Sequence, residues 1–326
     1  MVRVRDHSLP TVIRRDARSS LPVPRLVAAA GSDAAKRFVE FFAATIRNRN
    51  TRAAYVQAVG QFFAWCDQRK FRSLEQIEPL VVAAYIEQHR GSKPTVKQHL
   101  AAIRRLFDWL VTGQIVPHNP AASVRGPTHT VRRGKTPILS ADEARKLLDS
   151  IDVGTVIGLR DRALIGVMVY SFARVSAAVG LKVEDYYAEK KRWWLRLHEK
   201  GGKRHEVPAH HNVERYLDEY LETAGLVGDK STPLFRTIDR RGLLTTDGMT
   251  RSDALRMIKR RCRHAGLSAA TSCHSFRATG ITVFLENGGT IEAAQRIAAH
   301  ESPRTTKLYD RTGDDITLDE IERIVL

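Results

Sequence analysis

Two stretches near the carboxyl-terminal end carry the most informative side chains: CHSFRATG at residues 273–280 and IAAHESPRTTKLYDR at residues 297–311. Four of their residues are the first candidates to react with or bind an anion: His274, Arg277, His300 and Tyr309. A phenol has an ordinary pKa of about 10, so it needs a partner that accepts its proton before it can attack. A guanidinium binds anionic oxygens through paired, charge-assisted hydrogen bonds. The two stretches therefore contain candidates for a nucleophile and for an anion clamp.

Two further basic positions lie upstream. The apolar run LIGVMVYSF at residues 164–172 predicts a buried helix that leads to Arg174. The stretch WWLRLHEKGGKRHEVPA at residues 193–209 alternates apolar and polar residues around a glycine pair, which is typical of a β-hairpin. A lysine ammonium at the tip of that hairpin, with a pKa lowered by neighbouring cations, is suited to protonate a leaving alkoxide. The tip of this hairpin holds Lys200 and Lys203.

The charge of the chain points to a polyanionic partner. Its 53 Lys and Arg residues against 36 Asp and Glu give a formal net charge of +17, and nucleic acid is the first partner to consider. A membrane is disfavoured because no stretch approaches the roughly 20 apolar residues of a spanning helix. The opening residues have no apolar stretch and no small-residue cleavage site, so they do not predict a secretory signal. We expect a cytoplasmic protein that associates with the nucleoid.

Composition changes along the chain predict four segments. Residues 1–30 are rich in Arg, Pro and Ser without an apolar period, which indicates a basic, flexible arm. Residues 31–118 have helical periodicity and predict an all-helical domain. Residues 119–137 mix Pro, Gly and basic residues, which is typical of a linker. Residues 138–326 predict a mainly helical domain with a small antiparallel sheet.

Helix signals in the first domain are clear. Behind a cap candidate at Asn50 or Thr51, apolar residues recur at helical spacing from Tyr55 to Cys66, and the pattern repeats from Leu100 to Leu110. Basic side chains on or near the polar faces are either phosphate contacts or a solvated surface. With Lys203 of the hairpin, the candidate DNA contacts are Arg52, Lys97, His99, Arg104 and Arg105.

The second domain begins and ends with helix-capping patterns. Ser140 and Glu143 form an S-x-x-E capping box ahead of an apolar face. The final stretch, DITLDEIERIVL at residues 315–326, has a second box at Thr317 and Glu320 and predicts a terminal helix with an apolar stripe.

The order Arg, Lys, His-x-x-Arg, His, Tyr resembles that of the tyrosine recombinase, or phage integrase, family, which includes the Xer-type recombinases. The resemblance covers most of the chain. In the second domain it includes the two stretches quoted first, together with SFARVSAAVGLKVED at residues 171–185 and EKGGKRHEVPA at residues 199–209. In the first domain it includes NTRAAYVQAVGQFFAWC at residues 50–66 and PTVKQHLAAIRRLFDWLVTGQIVPHNPA at residues 94–121.

The chain departs from the family pattern around two of the site residues. The family often has Gly-Leu before the first arginine and a Glu three residues after it, where this chain has Phe172, Ala173 and Ala177. The usual Leu-Gly before the second histidine is Ala298-Ala299 here.

The resemblance implies a fold and a chemistry. The fold would be mainly α with a small antiparallel β-sheet, comprising an N-terminal SAM-like core-binding domain and a C-terminal tyrosine recombinase catalytic domain. Tyr309 would form a 3′-phosphotyrosine bond to DNA, and Arg174 and Arg277 would clamp the phosphate. Lys200 would protonate the leaving 5′ hydroxyl, with Lys203 on the same hairpin as the second candidate. His274 would accept the tyrosine proton or hold the phosphate, and His300 would donate a hydrogen bond to a nonbridging oxygen. Neither a metal ion, ATP nor any other cofactor would be needed.

The resemblance also implies partners. These would be double-stranded DNA with inverted-repeat half-sites, a homotetramer joining two duplexes, and possible accessory DNA-bending proteins or sister recombinases. The task could be integration, excision or resolution. Two alternatives stay open: a type IB topoisomerase-like activity that only relaxes supercoils, and a catalytically silent DNA-binding paralogue. The terminal helix could dock on its own protomer or on the next one in a cyclic assembly.

Overall fold

A computed structural model describes residues 21–129, 134–199 and 202–310. Lys200 and the predicted terminal helix of residues 315–326 lie outside the described residues. The chain divides into two compact units at residues 130 and 131, and each unit is described by itself. Within the described ranges, no helix is both long and apolar enough to cross a membrane.

The first unit is all helical. Its elements are α1 (Arg25–Ala29), α2 (Ser32–Glu40), a π-helical turn (Phe41–Thr45), α3 (Arg49–Gln68), a 3-10 turn (Leu74–Gln76), α4 (Pro79–Glu87) and α5 (Lys93–Thr112). Helices α3 and α5 pack together through the apolar positions that the periodicity indicates, such as Phe62 and Phe107, both fully buried. The predicted cap of α3 is wrong by two or three residues. Asn48 caps the helix instead, because its extended backbone lets its Oδ1 accept from the N–H groups of Asn50 and Thr51.

Described residues in the predicted arm and at the start of the predicted linker pack on the first unit. Helix α1 lies inside the predicted arm of residues 1–30, and it buries Leu26 and Val27 in the core of the first unit. The start of the predicted linker packs on α5, since Arg104 donates hydrogen bonds to the carbonyls of Ala121 and Val124. Buried apolar residues hold both segments against the helices, which a count of Pro, Gly and charge does not reveal.

The second unit combines eight helices of the described residues with two small sheets. The helices are α6 (Ala141–Asp149), α7 (Val156–Tyr170), α8 (Val175–Val179), α9 (His211–Thr223), α10 (Arg251–His264), α11 (Cys273–Glu286), α12 (Ile291–Ile297) and α13 (Pro303–Lys307). The strands are β1 (Tyr186–Glu189), β2 (Arg192–His198), β3 (Arg204–Pro208), β4 (Arg236–Ile238) and β5 (Leu244–Gly248). The capping box of Ser140 and Glu143 begins α6 as predicted.

The sheets are antiparallel. Strand β2 pairs with β3 in the predicted hairpin, with Leu195 opposite Val207, and β1 pairs with the other edge of β2. The hairpin of β4 and β5 was not predicted. Strand β4 is three residues long and its pairing with β5 is irregular, so it presents too little alternation to be recognised.

Helix α7 is the centre of the second unit, and α11 packs closely against it. The contact depends on Gly280: a Cβ atom there would lie 2.0 Å from the carbonyl oxygen of Val169 and 2.9 Å from the ring of Phe172. Real Cβ atoms do not approach backbone so closely, so the two helices would have to separate. Gly280 therefore sets the distance at which α11 lies from the segment that leads to Arg174.

We expect Gly280→Ala to destabilise the second unit by about 1–3 kcal/mol, the usual cost of overpacking a core. Urea unfolding curves would measure the change. The matched control is Gly60→Ala in the middle of α3, where an added Cβ meets nothing within 4 Å. That substitution should leave stability unchanged or raise it, because alanine is the better helix former. Equal effects of the two substitutions would contradict this account of Gly280.

Candidate functional site

Five of the six predicted catalytic residues meet in the second unit. Arg174 is the N-cap residue of α8, His274 and Arg277 are one turn apart on α11, His300 follows α12, and Tyr309 follows α13. The sixth, Lys200, lies outside the described residues. Residues far apart in sequence are therefore brought together by the packing of α7, α11 and the last two short helices.

Tyr309 is held at both its backbone and its side chain. Its phenol oxygen lies 2.9 Å from Nε2 of His274, and its ring stacks nearly parallel on His300 at a centroid distance of 5.8 Å. The hydroxyl of Thr282 on α11 donates to the carbonyl of Tyr309 at 2.9 Å. The residue is 8% exposed. The phenol is thus fixed beside a group that can accept its proton.

His274 is suited to that role by its charge state. Loss of hydration around the ring, and then the positive charges of Arg277 and Arg174, lower the pKa of His274. The imidazole is therefore neutral at pH 7, and with its proton on Nδ1 it accepts the phenol hydrogen bond through Nε2. The basic neighbours disfavour a charged imidazole but attract an anion, so they favour a phosphate in the same place.

Arg277 is the buried member of the pair of guanidinium groups. It is 1% exposed, and it donates to the carbonyls of Phe172 and Ala298, the latter at 2.7 Å. Phe172 has a left-handed φ of 53°, and this conformation accompanies the bond between its carbonyl and the guanidinium. Burial, and then repulsion by Arg174, lower the pKa of Arg277 to about 10. The group remains charged at pH 7.

The protonation state of His300 follows from its neighbours. Arg277 donates to Nε2 of His300 at 2.8 Å, and an arginine can only donate, so Nε2 carries no proton. The proton of the neutral ring is then on Nδ1, which donates to the hydroxyl of the fully buried Thr306 at 2.9 Å. Donation from Nε2 of His300 to a phosphate oxygen, the expected role, would need the other tautomer and a different partner for Arg277.

The pH dependence of stability tests this description of His300. Burial, and then the charges of Arg277, Arg174 and His274, lower its pKa from 6.5 to about 4. Because the unfolded chain binds the proton first, this contribution to stability is fully present above pH 6.5 and is lost as the pH falls towards 4. The shift corresponds to about 3 kcal/mol.

We expect His300→Asn to flatten the loss of stability between pH 6.5 and pH 4 in urea unfolding curves. The comparison with wild type is needed because His99, His210 and His274 also have lowered pKa values and act in the same direction. His264→Asn, at the exposed end of α10, is the matched control and should retain the wild-type dependence. Parallel curves for wild type and His300→Asn would show that folding does not lower the pKa of His300.

The candidate DNA contacts fall into two groups. Lys97 and Arg105 of α5 and Lys203 of the hairpin loop are exposed, so their side chains can reach a phosphate. Arg52 is half-buried and donates twice to the carbonyl of Ile46, at 2.7 and 3.1 Å. Arg104 is likewise half-buried and occupied by backbone carbonyls. The last two side chains hold chain segments together in this structure.

The expectation that His99 lies on a polar face is wrong. His99 is 5% exposed, and its Nδ1 lies 2.9 Å from the hydroxyl of Tyr85 and 3.1 Å from Nε2 of His89. Burial, and then the nearby His89, lower the pKa of His99. A polar residue at a core position is tolerated here because its partners satisfy it.

Sequence reasoning missed two residues of the site. Glu199 forms an ion pair with Arg174, and the hydroxyl of Thr306 accepts a hydrogen bond from Nδ1 of His300. The signal for Glu199 was indirect, because it consists of an acidic residue beside Lys200 together with the missing acid at position 177. Thr306 has no signal of its own in a run of polar residues before Tyr309.

Comparison with known proteins identifies the fold and the family. Residues 137–314, more than half of the chain, match the phage integrase family, and residues 35–114 match the N-terminal SAM-like domain of phage integrases. The chain belongs to the phage integrase family. The resemblance read from the motifs is thereby confirmed, as is the expected fold class.

Similar members of the phage integrase family are named tyrosine recombinases. The chain is 30% identical to tyrosine recombinase XerC of Pelobacter propionicus over 82% of its own length and 86% of the relative. It is also 30% identical to XerD of Ralstonia nicotianae, over 80% and 83% of the two chains. These relatives make the chain a tyrosine recombinase by family.

Solved structures share the fold. The XerH recombinase bound to its difH substrate matches with a TM-score of 0.65 at 18% identity, covering 91% of this chain and 94% of that one. A lambda integrase tetramer bound to a Holliday junction matches with a TM-score of 0.65 at 18% identity, over 86% and 78% of the chains. Helical and catalytic parts of the phage integrase architecture are thus both represented in this chain.

Proposed function

We propose that the protein is a site-specific DNA recombinase that breaks and rejoins strands through a 3′-phosphotyrosine at Tyr309. The observation that carries the proposal is the contact between the phenol and a neutral His274 beside two guanidinium groups. Membership of the phage integrase family supports the same reaction. We further propose that the first unit is a DNA-binding domain and the second the catalytic domain.

In the proposed cleavage step, the Tyr309 oxygen attacks the phosphorus as its proton passes to Nε2 of His274. The bond from phosphorus to the 5′ oxygen breaks, and the departing oxygen takes its electron pair and a proton. Arg174 and Arg277 bind the nonbridging oxygens, on which negative charge increases in the transition state. Arg277 would exchange part of its bonding to backbone carbonyls and His300 for these oxygens.

The proton for the leaving 5′ oxygen comes in this proposal from a lysine of the hairpin loop. Lys200 is the first candidate, and the exposed Lys203 on the same loop is the second. Attack of a 5′ hydroxyl on the phosphotyrosine reverses the step. Each step exchanges one phosphate ester for another, so the energy of the broken bond is retained and ATP is not consumed.

A nicked suicide substrate tests the reaction. Cleavage releases a short fragment that carries the 5′ hydroxyl, and its loss prevents rejoining and traps the covalent intermediate. DNA from the chain's own genomic neighbourhood would be incubated with the protein in EDTA and run on a denaturing gel. We expect a protein–DNA adduct. DNA binding without an adduct on any candidate site would favour the silent paralogue, and plasmid relaxation without intermolecular joining would favour the topoisomerase-like alternative.

We also propose that four protomers join two DNA duplexes at inverted-repeat half-sites. A solved relative, the lambda integrase, is a tetramer on a Holliday junction, which supports this assembly. The second unit has an apolar groove of about 720 Å³ between α6, α7 and α11. Its lining includes Leu148, Val169, Phe276, Val283 and Phe284. We propose that the tail of residues 315–326 from the next protomer, with its apolar stripe, occupies this groove.

Truncation after Arg311 tests the exchange of tails. We expect the shortened protein to bind a single half-site as wild type does, but to lose assembly of higher complexes on DNA in sedimentation and gel-shift measurements. The reason is that the tail would bury its apolar residues only against a neighbour. Unchanged assembly of the truncated protein would exclude packing in trans.

A further inference from the structure

Arg174, the more exposed of the two guanidinium groups, has its charge partner on a different element from its own. Helix α8, which it caps, has no acidic residue in its first turn, and position 177 is a buried alanine. The partner is Glu199, which directly follows β2 and accepts from Nη1 of Arg174. The Glu199 side chain is 4% exposed and that of Arg174 is 36% exposed. A carboxylate so buried is costly unless it is paired, so the pair is a defined feature of the fold.

Glu199 is also the closing residue of the hairpin loop. The N–H of Glu199 donates to the carbonyl of Lys203 at 2.8 Å, and the carbonyl of Glu199 accepts from the N–H of Gly202 at 3.2 Å. The backbone of Glu199 therefore closes the loop that bears Lys203 and, in the sequence, Lys200. Its side chain meanwhile contacts the guanidinium on α8.

The carboxylate is placed where two cations repel each other. Arg174 and Arg277 are close enough for Arg174 to lower the pKa of Arg277, and the charge of Glu199 acts in the opposite direction. A nearby negative charge offsets part of the repulsion between the guanidinium groups before any phosphate is bound. Among the described residues, the Glu199 carboxylate accepts a hydrogen bond only from Nη1 of Arg174. The other N–H groups of this guanidinium can therefore donate to a ligand.

We propose that Glu199 is a positioning residue that orients Arg174 for the scissile phosphate and ties that arginine to the lysine-bearing loop of the hairpin. The proposal rests on the proposed function and adds to it a residue that supplies, from β2, the acidic support that α8 lacks. Glu199 acts through Arg174 and does not itself touch the phosphate. Binding of DNA by the rest of the protein does not depend on it.

The test compares the wild-type protein with Glu199 variants in the rate of single-turnover cleavage of the nicked substrate, measured at saturating DNA. Glu199→Gln keeps the shape of the side chain and removes its charge, and we expect cleavage to slow by about 10- to 100-fold because misplacement of a phosphate clamp is costly. DNA affinity should change by less than about 3-fold, since most phosphate contacts lie elsewhere. Glu199→Asp keeps the charge and should cleave at a rate between those of wild type and the glutamine variant.

The matched control is Glu206→Gln on β3 of the same hairpin. Glu206 pairs with Arg196 at 2.9 Å, and its side chain is 47% exposed. The same change of charge there should leave the cleavage rate unchanged, because the pair lies on the surface of the hairpin and does not involve Arg174. A slowing equal to that of Glu199→Gln would mean that any loss of charge from the hairpin has this effect, and would overturn the proposal.

A double-mutant comparison separates positioning from general support of the fold. If Glu199 acts through Arg174, then adding Glu199→Gln to Arg174→Lys should slow cleavage by less than about 2-fold beyond Arg174→Lys alone, because residues that act as a unit are not additive. Full additivity would overturn the proposal. If Glu199→Gln does not fold, Glu199→Asp decides in its place: slower cleavage supports the proposal, and the wild-type rate overturns it.

The same gel distinguishes a failure of the proposed function from a failure of the role proposed for Glu199. No adduct with wild-type protein would reject the proposed function and the role of Glu199 with it. A wild-type adduct together with an unaltered rate in Glu199→Gln would reject only the role of Glu199.

Discussion

Replacing Tyr309 with phenylalanine should abolish covalent attachment to DNA, with a fall in adduct formation of at least about 10⁴-fold, as when other enzymes lose their nucleophile. The fold should be nearly unaffected. The ring still stacks on His300, and the hydroxyl of Thr282 still donates to the carbonyl of residue 309. Loss of the hydrogen bond to His274 should cost about 1 kcal/mol of stability. The suicide-substrate gel measures adduct formation, and a urea unfolding curve measures stability.

Tyr170→Phe is the matched control for this variant. The hydroxyl of Tyr170 accepts from Nδ2 of Asn212 at 3.1 Å, and Tyr170 is not among the residues described above as holding Tyr309. It should form the adduct at the wild-type rate. An adduct that persists in Tyr309→Phe would show that another side chain is the nucleophile.

Replacing Arg277 with methionine should separate activity from stability. Cleavage should slow by about 10²- to 10³-fold, because a donor aimed at the charge of the transition state is lost. Stability is subject to two opposing effects. Burial lowers the pKa of Arg277 from 12.5 to about 10, so at pH 7, below both values, the charged group costs about 3 kcal/mol in the folded state. Its removal relieves that cost.

The opposite effect comes from the acceptors left behind. The carbonyls of Phe172 and Ala298 and Nε2 of His300 lose their donor, and each buried acceptor without a partner costs about 1–3 kcal/mol. Against a relief of about 3 kcal/mol, we therefore expect a net loss of about 0–6 kcal/mol, measured by urea unfolding. Arg304→Met, on the exposed part of α13, is the control and should keep the cleavage rate at saturating DNA. An Arg277→Met protein that cleaves normally would exclude Arg277 from the phosphate clamp.

Much of the local structure could be predicted because it depends on neighbouring residues. The apolar period of α5 and the capping box of α6 are both present, since helix spacing and end effects are properties of short segments. The predictions were wrong where contacts between residues distant in sequence determine the structure. His99 is buried because Tyr85, fourteen residues earlier, supplies a partner, and the α5 pattern alone does not distinguish it from a surface position.

The candidate site divides in the same way. The residue types and their order identify the family, but the spacing of the side chains depends on contacts such as that between Arg277 and Phe172, 105 residues apart. The support of Arg174 by Glu199 could not be predicted, because an acid at the end of a strand has many possible partners. The tautomer of His300 follows from its two hydrogen bonds, to Arg277 and to Thr306, and these partners are known only from the folded structure.

Helix α11 has a consequence for how such proteins can vary in length. It holds His274, Arg277 and Thr282, which contact the phenol, the neighbouring segments and the Tyr309 carbonyl. One inserted residue between these positions would rotate those beyond it by about 100° and shift them by about 1.5 Å. The loop after α11 carries no such restriction. Searches of genomes for the same site should therefore keep the interval from His274 to Thr282 constant and allow gaps between Asn287 and Thr290.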